Sequence, residues 1–218
     1  MARIAIVDYG IGNLRSVERA VERAAVDAGV ACTAVITADP DAIERADHVI
    51  VPGQGAFRDC ATALARGIGE VLLRQIRSGR PFLGICMGLQ MLFDSSDEAP
   101  GHRGLSLFAG RNVRLLGGQR DPVSGQIVKI PHMGWNQIEL CGKGHPFLEA
   151  CGGSGTHLYF VHSYNAVADD RSIVVATARH GPFEITAAVA RDNVFASQFH
   201  PEKSQAAGLA LLSAFVRS

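Results

Sequence analysis

The chain has 218 residues, 47% hydrophobic and 19% charged, with 21 basic and 21 acidic side chains. A sizeable core is available, disorder is not expected, and a net charge of zero leaves no electrostatic footprint for nucleic acid or an anionic membrane. No apolar run approaches the ~18 residues of a membrane span, and Asp8 interrupts the N-terminal apolar run too early for a signal peptide. The five cysteines are widely spaced with no C-x-x-C, so neither a metal nor a disulfide framework is indicated and a reducing cytoplasm is expected.

The first half alternates. "RIAIVD" is a short apolar run suited to a strand buried on both faces. Leu14, Val17, Val21 and Ala24 then recur at helical spacing. "ACTAVIT" reads as strand, "PDAIERA" as a short helix, "HVIVPG" as strand, "IGEVLLRQIRSG" as a helix closed by Gly79, and "PFLGI" as strand. This rhythm predicts an α/β fold: an open, mostly parallel sheet with helices on both faces. The second half is strand-rich: "RNVRLL", "QIVKIPHMGWNQIEL", "THLYFVHSYN", "SIVVATA", and "EITAAVA" and "NVFASQF" around an Arg191-Asp192 break. It reads as an antiparallel annex to the parallel core, and a helix from about Lys203 closes the chain. No linker, repeat or low-complexity tract separates the halves, so residues 1–218 are expected to form one domain.

The stretch "GICMGLQ" brackets Cys86 with Gly84 and Gly88 where a strand runs into a helix. Such a turn exposes a nucleophile, lets backbone pack closely around it, and directs following N–H groups such as that of Met87 toward a developing oxyanion. Cys86 taken alone equally suits a small buried hydrophobe in a strand-helix corner. A thiol nucleophile needs a base. His48, His102, His145 and His180 lie in polar, Pro or Gly surroundings and read as surface, whereas His200 follows an apolar run in "FHPEKS". Pro201 favours an extended His200, and residues two apart in an extended stretch share a side, which brings Glu202 to the imidazole as its orienter. Read alone, H-P-E is also an ordinary loop ending a strand.

Together, G-x-C-x-G-x-Q and F-H-P-E resemble the triad-type class I glutamine amidotransferases. That resemblance implies Cys86 as nucleophile, His200 as general base and acid, and Glu202 as its orienter, with a cysteinyl thioester and release of ammonia. "VDYGIGNLRSV", "PGQGAF", "SSDEAPG", "PHMGWN", "YFVHSY" and "QFHPEKS", spread in order over residues 4–204, resemble the family of glutaminase subunits of imidazole glycerol phosphate synthase. The family implies an oxyanion hole from the backbone of Gln54 and Met87. It also implies glutamine contacts from Gly53, Gly55, Gln90, Glu98, His162, Ser163 and Tyr164. A separate (β/α)-barrel cyclase subunit is the implied partner in a heterodimer, met through Asn13, Met133, Trp135 and Lys203, and no cofactor or metal is called for. Gln54 departs from the family, which more often has valine there.

Other readings are weaker. "DYGIGNL" hints at a dinucleotide fingerprint, but Arg15 stands where the third glycine belongs. An α/β-hydrolase places its acid before the histidine, and here the acid follows. A glutaminase serving another ammonia acceptor, and a binding subunit with a decayed triad, remain as alternatives; "PHMGWN" with "DYGIGNL" argues against the first, and the intact Cys86, His200 and Glu202 against the second.

Overall fold

The computed structural model describes residues 1–10, 12–53 and 55–218. The elements in the first half are β1 (Ala2–Val7), α1 (Leu14–Ala28), β2 (Cys32–Thr37), α2 (Pro40–Glu44), β3 (His48–Val51), α3 (Phe57–Ala63), α4 (Gly69–Arg77), β4 (Phe82–Ile85) and α5 (Met87–Gln90). There follow β5 (Phe93–Ser96), β6 (Phe108–Arg114), β7 (His132–Leu140), α6 (Pro146–Ala150), β8 (His157–His162), β9 (Tyr164–Ala168), β10 (Val174–His180), β11 (Phe183–Arg191), β12 (Val194–Ser197) and α7 (Gln205–Phe215).

Nine strands form one sheet in the order β2-β1-β3-β4-β12-β11-β10-β7-β8. The pairings from β2 to β12 are parallel and those from β12 to β8 antiparallel. The annex is therefore a continuation of the core sheet, joined where β12 pairs parallel with β4 and antiparallel with β11. The fold is α/β with a large mixed sheet, and strands β5, β6 and β9 make a small second sheet.

Strands β3, β4 and β12 are buried along their whole length, which is why each is mostly apolar. Helix α1 buries Val17, Val21, Ala24 and Ala25. The Asn13 side chain accepts a hydrogen bond from the Ser16 N–H at its start, and Gly29 ends it in the left-handed conformation (φ 68°) that glycine adopts without a Cβ penalty. One core joins α1 and α7 to the sheet through Val21, Leu212 and Phe215. The other buries Ile43, Phe57 and Leu72 of α2, α3 and α4 against the opposite side.

Two expectations are corrected. His48 is buried at the start of β3: its Nε2 lies 2.9 Å from the Ser218 carbonyl oxygen and its ring packs edge-on to Phe215. Burial lowers its pKa, and the hydrogen bond to Ser218, 170 residues away in the sequence, works against that shift. His145, also expected at the surface, packs its ring on Phe147 and Phe195.

Where β4 meets α5 the backbones approach too closely for side chains. A Cβ on Gly88 would land on the Val51 carbonyl oxygen, and one on Gly53 on the Met87 side chain. Neither obstacle is a flexible side-chain tip. Gly88→Ala is expected to destabilise the fold by about 2–3 kcal/mol, the upper range for overpacking a closed site, read as a lower urea midpoint with an unchanged m-value. An unchanged midpoint would show that this junction has room to spare.

Candidate active site

Strand β4 carries the chain to the carboxyl edge of the sheet, and Cys86 makes the corner into α5 with φ 54° and ψ −101°. A positive φ is uncommon for a residue with a Cβ and costs energy that the surroundings must hold in place. They do so through hydrogen bonds on both sides. The Cys86 N–H donates to Ser197 O of β12 at 2.7 Å, and the Leu89 and Gln90 N–H groups donate to Cys86 O at 3.0 and 3.2 Å. The corner is thus anchored to the central strands, and its sulfur opens into a cleft.

His200 enters from β12. Its N–H donates to Tyr159 O at 2.9 Å, and its carbonyl accepts from the Ser204 hydroxyl at 2.7 Å. The backbone is extended at His200 and makes one 3-10 turn over Pro201–Lys203. His200 Nδ1 and Glu202 Oε1 are 2.7 Å apart, with both side chains 2% exposed. A carboxylate only accepts, so Nδ1 carries the proton and Nε2 is left for the sulfur side. Nε2 is buried and makes no geometrically complete hydrogen bond in this resting arrangement, yet Cys86 lies close enough to act on it. Burial alone would lower the imidazole pKa. The Cys86 sulfur and the Glu202 carboxylate outweigh it and raise the ring to about 9. At neutral pH the ring is therefore an imidazolium, suited to accompany a thiolate and to hand a proton to a leaving amine.

The cleft in front of the sulfur has a volume of about 440 Å³, and Gly53, Gly55, Met87 and Val161 form part of its wall. Gln90, Glu98, His162, Ser163 and Tyr164, predicted around the substrate, all line it. Their free hydrogen-bonding capacity differs. Gln90 Nε2 is committed to Gln198 Oε1 at 3.1 Å and Tyr164 O at 3.3 Å, whereas its Oε1 is buried with no partner. Glu98 accepts the Phe57 N–H at the start of α3 with Oε2, at 3.0 Å. His162 donates from Nδ1 to Tyr164 O at 2.8 Å. Gln54 lies outside the described residues.

Of the residues predicted for a partner surface, Lys203 lines the cleft itself. Met133 is 62% and Trp135 46% exposed on β7. Trp135 meets Tyr159 of β8 edge-on at 6.1 Å, and Lys203 Nζ stands 5.9 Å from the Tyr159 ring centroid. Asn13 is exposed and borders a small recess that also touches His200 and Glu202.

Sequence reasoning missed two contributors. Gln198 is fully buried and donates from Nε2 to the Cys86 sulfur at 3.4 Å; a polar residue inside the apolar run "VFASQF" was the available signal. Tyr9 is buried and donates its hydroxyl to the Pro52 carbonyl, just before the Gly53 wall. Its place directly after the first strand gave no hint of that reach.

The fold and cleft define a class of protein that comparison identifies directly. The glutamine amidotransferase class-I family matches residues 5–217. Imidazole glycerol phosphate synthase subunit HisH of Syntrophotalea carbinolica is 49% identical, over 97% of this chain and 98% of its own. The protein of the same name from Geobacter sulfurreducens is 46% identical over 99% and 98%. Among solved structures, one described as a glutamine amidotransferase aligns with a TM-score of 0.69 at 18% identity, over 98% of this chain and 99% of that one. PurLQS from Thermotoga maritima aligns at 0.70 and 20%, over 99% and 97%; at such identities the likeness concerns the fold. The chain belongs to the class I glutamine amidotransferases, within the family of imidazole glycerol phosphate synthase subunit HisH. It is a glutaminase of that class.

The His200 pKa gives a pH prediction with a definite sign. The folded value of about 9 lies above the ordinary 6.5. The charged ring therefore stabilises the fold in full below about 6.5, and that contribution is lost as the pH rises through about 9. The same loss of the acid should lower kcat/KM for glutamine above about pH 9. Glu202→Gln removes one of the groups that raise the ring, so it should shift the descending limb to lower pH and cut kcat on the order of 10²-fold. A pH–rate profile with an unmoved limb would remove Glu202 from the charge balance.

Proposed function

We propose that the Cys86 thiolate attacks the side-chain amide carbon of glutamine and that His200 and Glu202 run the proton transfers. The sulfur–carbon bond forms as the amide π-electrons move to oxygen. The resulting oxyanion is met by the Met87 N–H and by the backbone at Gln54. Collapse expels the amine, which takes the His200 Nε2 proton and leaves as ammonia. Water then attacks the thioester and gives its proton back to His200; glutamate departs and the thiolate is restored. Gly53, Gly55, Gln90, Glu98, His162, Ser163 and Tyr164 hold the substrate, and the unpartnered Gln90 Oε1 suits an ammonium or amide N–H. The observation that carries this reading is a cysteine at positive φ in a cleft beside a buried histidine–carboxylate pair.

The ammonia goes to a separate cyclase subunit, which makes imidazole glycerol phosphate and AICAR in histidine biosynthesis. Ammonia released into neutral water is mostly protonated and no longer nucleophilic, so direct transfer favours a heterodimer docked over the cleft. The cluster of Trp135, Tyr159 and Lys203, together with the exposed Met133 and Asn13, fits the docking face: an exposed aromatic anchor beside a cation at the mouth of the site. Residues 1–218 act as one glutaminase domain, and the work is cytoplasmic, where five free thiols stay reduced.

Two experiments test this. Cys86→Ala should release no ammonia from glutamine, with or without the cyclase, and His200→Ala should fall nearly as far because members of such a unit are not additive; substantial turnover in Cys86→Ala would end the mechanism. Titration of Trp135→Ala and Lys203→Ala with the cyclase should show weaker association or weaker activation while Cys86 stays alkylatable. Wild-type binding and activation in both would move the interface elsewhere.

A further inference from the structure

Three side chains outside the triad form one hydrogen-bonded series that ends on the wall of the cleft. Tyr164 O only accepts, so the His162 Nδ1 at 2.8 Å must carry a proton. In a neutral ring His162 Nε2 is then an acceptor. Its neighbour at 2.9 Å is His132 Nδ1, which must therefore donate. That leaves His132 Nε2 to accept from Asn136 Nδ2 at 3.0 Å. The Asn136 amide is itself oriented: Nδ2 also donates to Arg179 O at 2.8 Å, and Oδ1 accepts the Gln137 N–H at 2.9 Å. Each ring nitrogen in the series has one role, with no donor facing a donor.

Both rings are buried, and burial foremost lowers each pKa, with neighbouring imidazoles adding to it: His132 to about 3 and His162 to about 4. They stay neutral across the working pH range, which the series requires. His132 is further clamped between the Phe160 ring at 4.8 Å and the His180 ring at 4.2 Å, both nearly parallel to it. The sandwich fixes its plane, and the hydrogen bonds fix its rotation within that plane. The Tyr164 carbonyl at the end also accepts from Gln90, so the same oxygen ties two cleft-lining residues together.

We infer that His132, which lines no part of the cleft, is a positioning residue for glutamine binding: through His162 it fixes the Tyr164 carbonyl and with it the Ser163–Tyr164 wall. This rests on the glutaminase reading above. Because the wall is met by substrate and transition state alike, its loss should appear in KM rather than kcat. The series also starts on β7, the strand that carries the exposed Trp135, so the strand with the docking aromatic is bonded through to the cleft.

The test is glutamine kinetics of the full chain bound to the cyclase. His132→Phe keeps the ring sandwich but leaves His162 Nε2 buried without a donor. It should raise KM for glutamine about tenfold, the scale of one buried hydrogen bond, with kcat within about twofold and the iodoacetamide alkylation rate of Cys86 unchanged. His132→Gln keeps a donor and an acceptor and should recover most of the loss. Asn136→Leu, at the half-buried outer end, should raise KM less, and the double variant should fall short of the product of the two. Asn136→Leu carries the same test should His132→Phe fail to fold. A second readout is the saturation constant for labelling of Cys86 by a diazoketone analogue of glutamine, on the chain alone; it should weaken by the same factor. A fall in kcat at constant KM, parallel loss of iodoacetamide reactivity, or no change in either readout would overturn the assignment. If the wild-type chain turned over no glutamine, the glutaminase reading would fall, while the labelling constant would still decide the role of His132.

Discussion

The arrangement of the site depends on one steric constraint: the approach of β3, β4 and α5 at the Cys86 corner. Gly53, Gly84 and Gly88 are glycines because protein atoms, backbone at Gly84 and Gly88 and the Met87 Cβ at Gly53, occupy the space where a Cβ would lie. That closeness lets a non-glycine residue hold φ 54° without local relaxation, since the corner is bonded to β12 on one side and to its own short helix on the other. The cost of the strained residue is spread over the best-buried strands of the sheet. The sulfur is thereby fixed relative to β12, the strand whose continuation delivers His200.

The electrostatics follow from that placement. Burial of His200 would by itself favour a neutral ring, and a neutral ring beside a neutral thiol would be a poor starting point. The Glu202 carboxylate at 2.7 Å and the sulfur together reverse the balance. Gln198 adds a neutral N–H donor to the sulfur at 3.4 Å. The resting site thus holds the His200–Glu202 pair, joined through Nδ1 and Oε1, inside a wall of largely buried residues.

Much of this was legible because the decisive signals are local. The strand–glycine–cysteine–helix junction lies within seven residues, and the histidine and its carboxylate are two apart, so short-range geometry sufficed. The buried parallel strands were legible from their mostly apolar runs. What escaped was set by pairing between distant segments. His48 meets the chain terminus, Gln90 meets Gln198 across 108 positions, and His132 meets His162 across 30. β5, "FDSS", has too little apolar character to stand out, and gains its order by pairing with β6 in the small sheet. The continuity of the antiparallel strands with the core also depended on a pairing, β12 with both β4 and β11, that no periodicity encodes.

The central claim is that the Cys86 sulfur becomes covalently bonded to the glutamyl group during turnover. Acid quenching of the working complex within its first turnovers, followed by peptide mapping by mass spectrometry, tests it most directly. The account predicts a glutamyl thioester on the peptide containing Cys86, present only with glutamine and removed by hydroxylamine. Steady ammonia production with no adduct on that peptide, or with the adduct on Cys60 or Cys141, would contradict it.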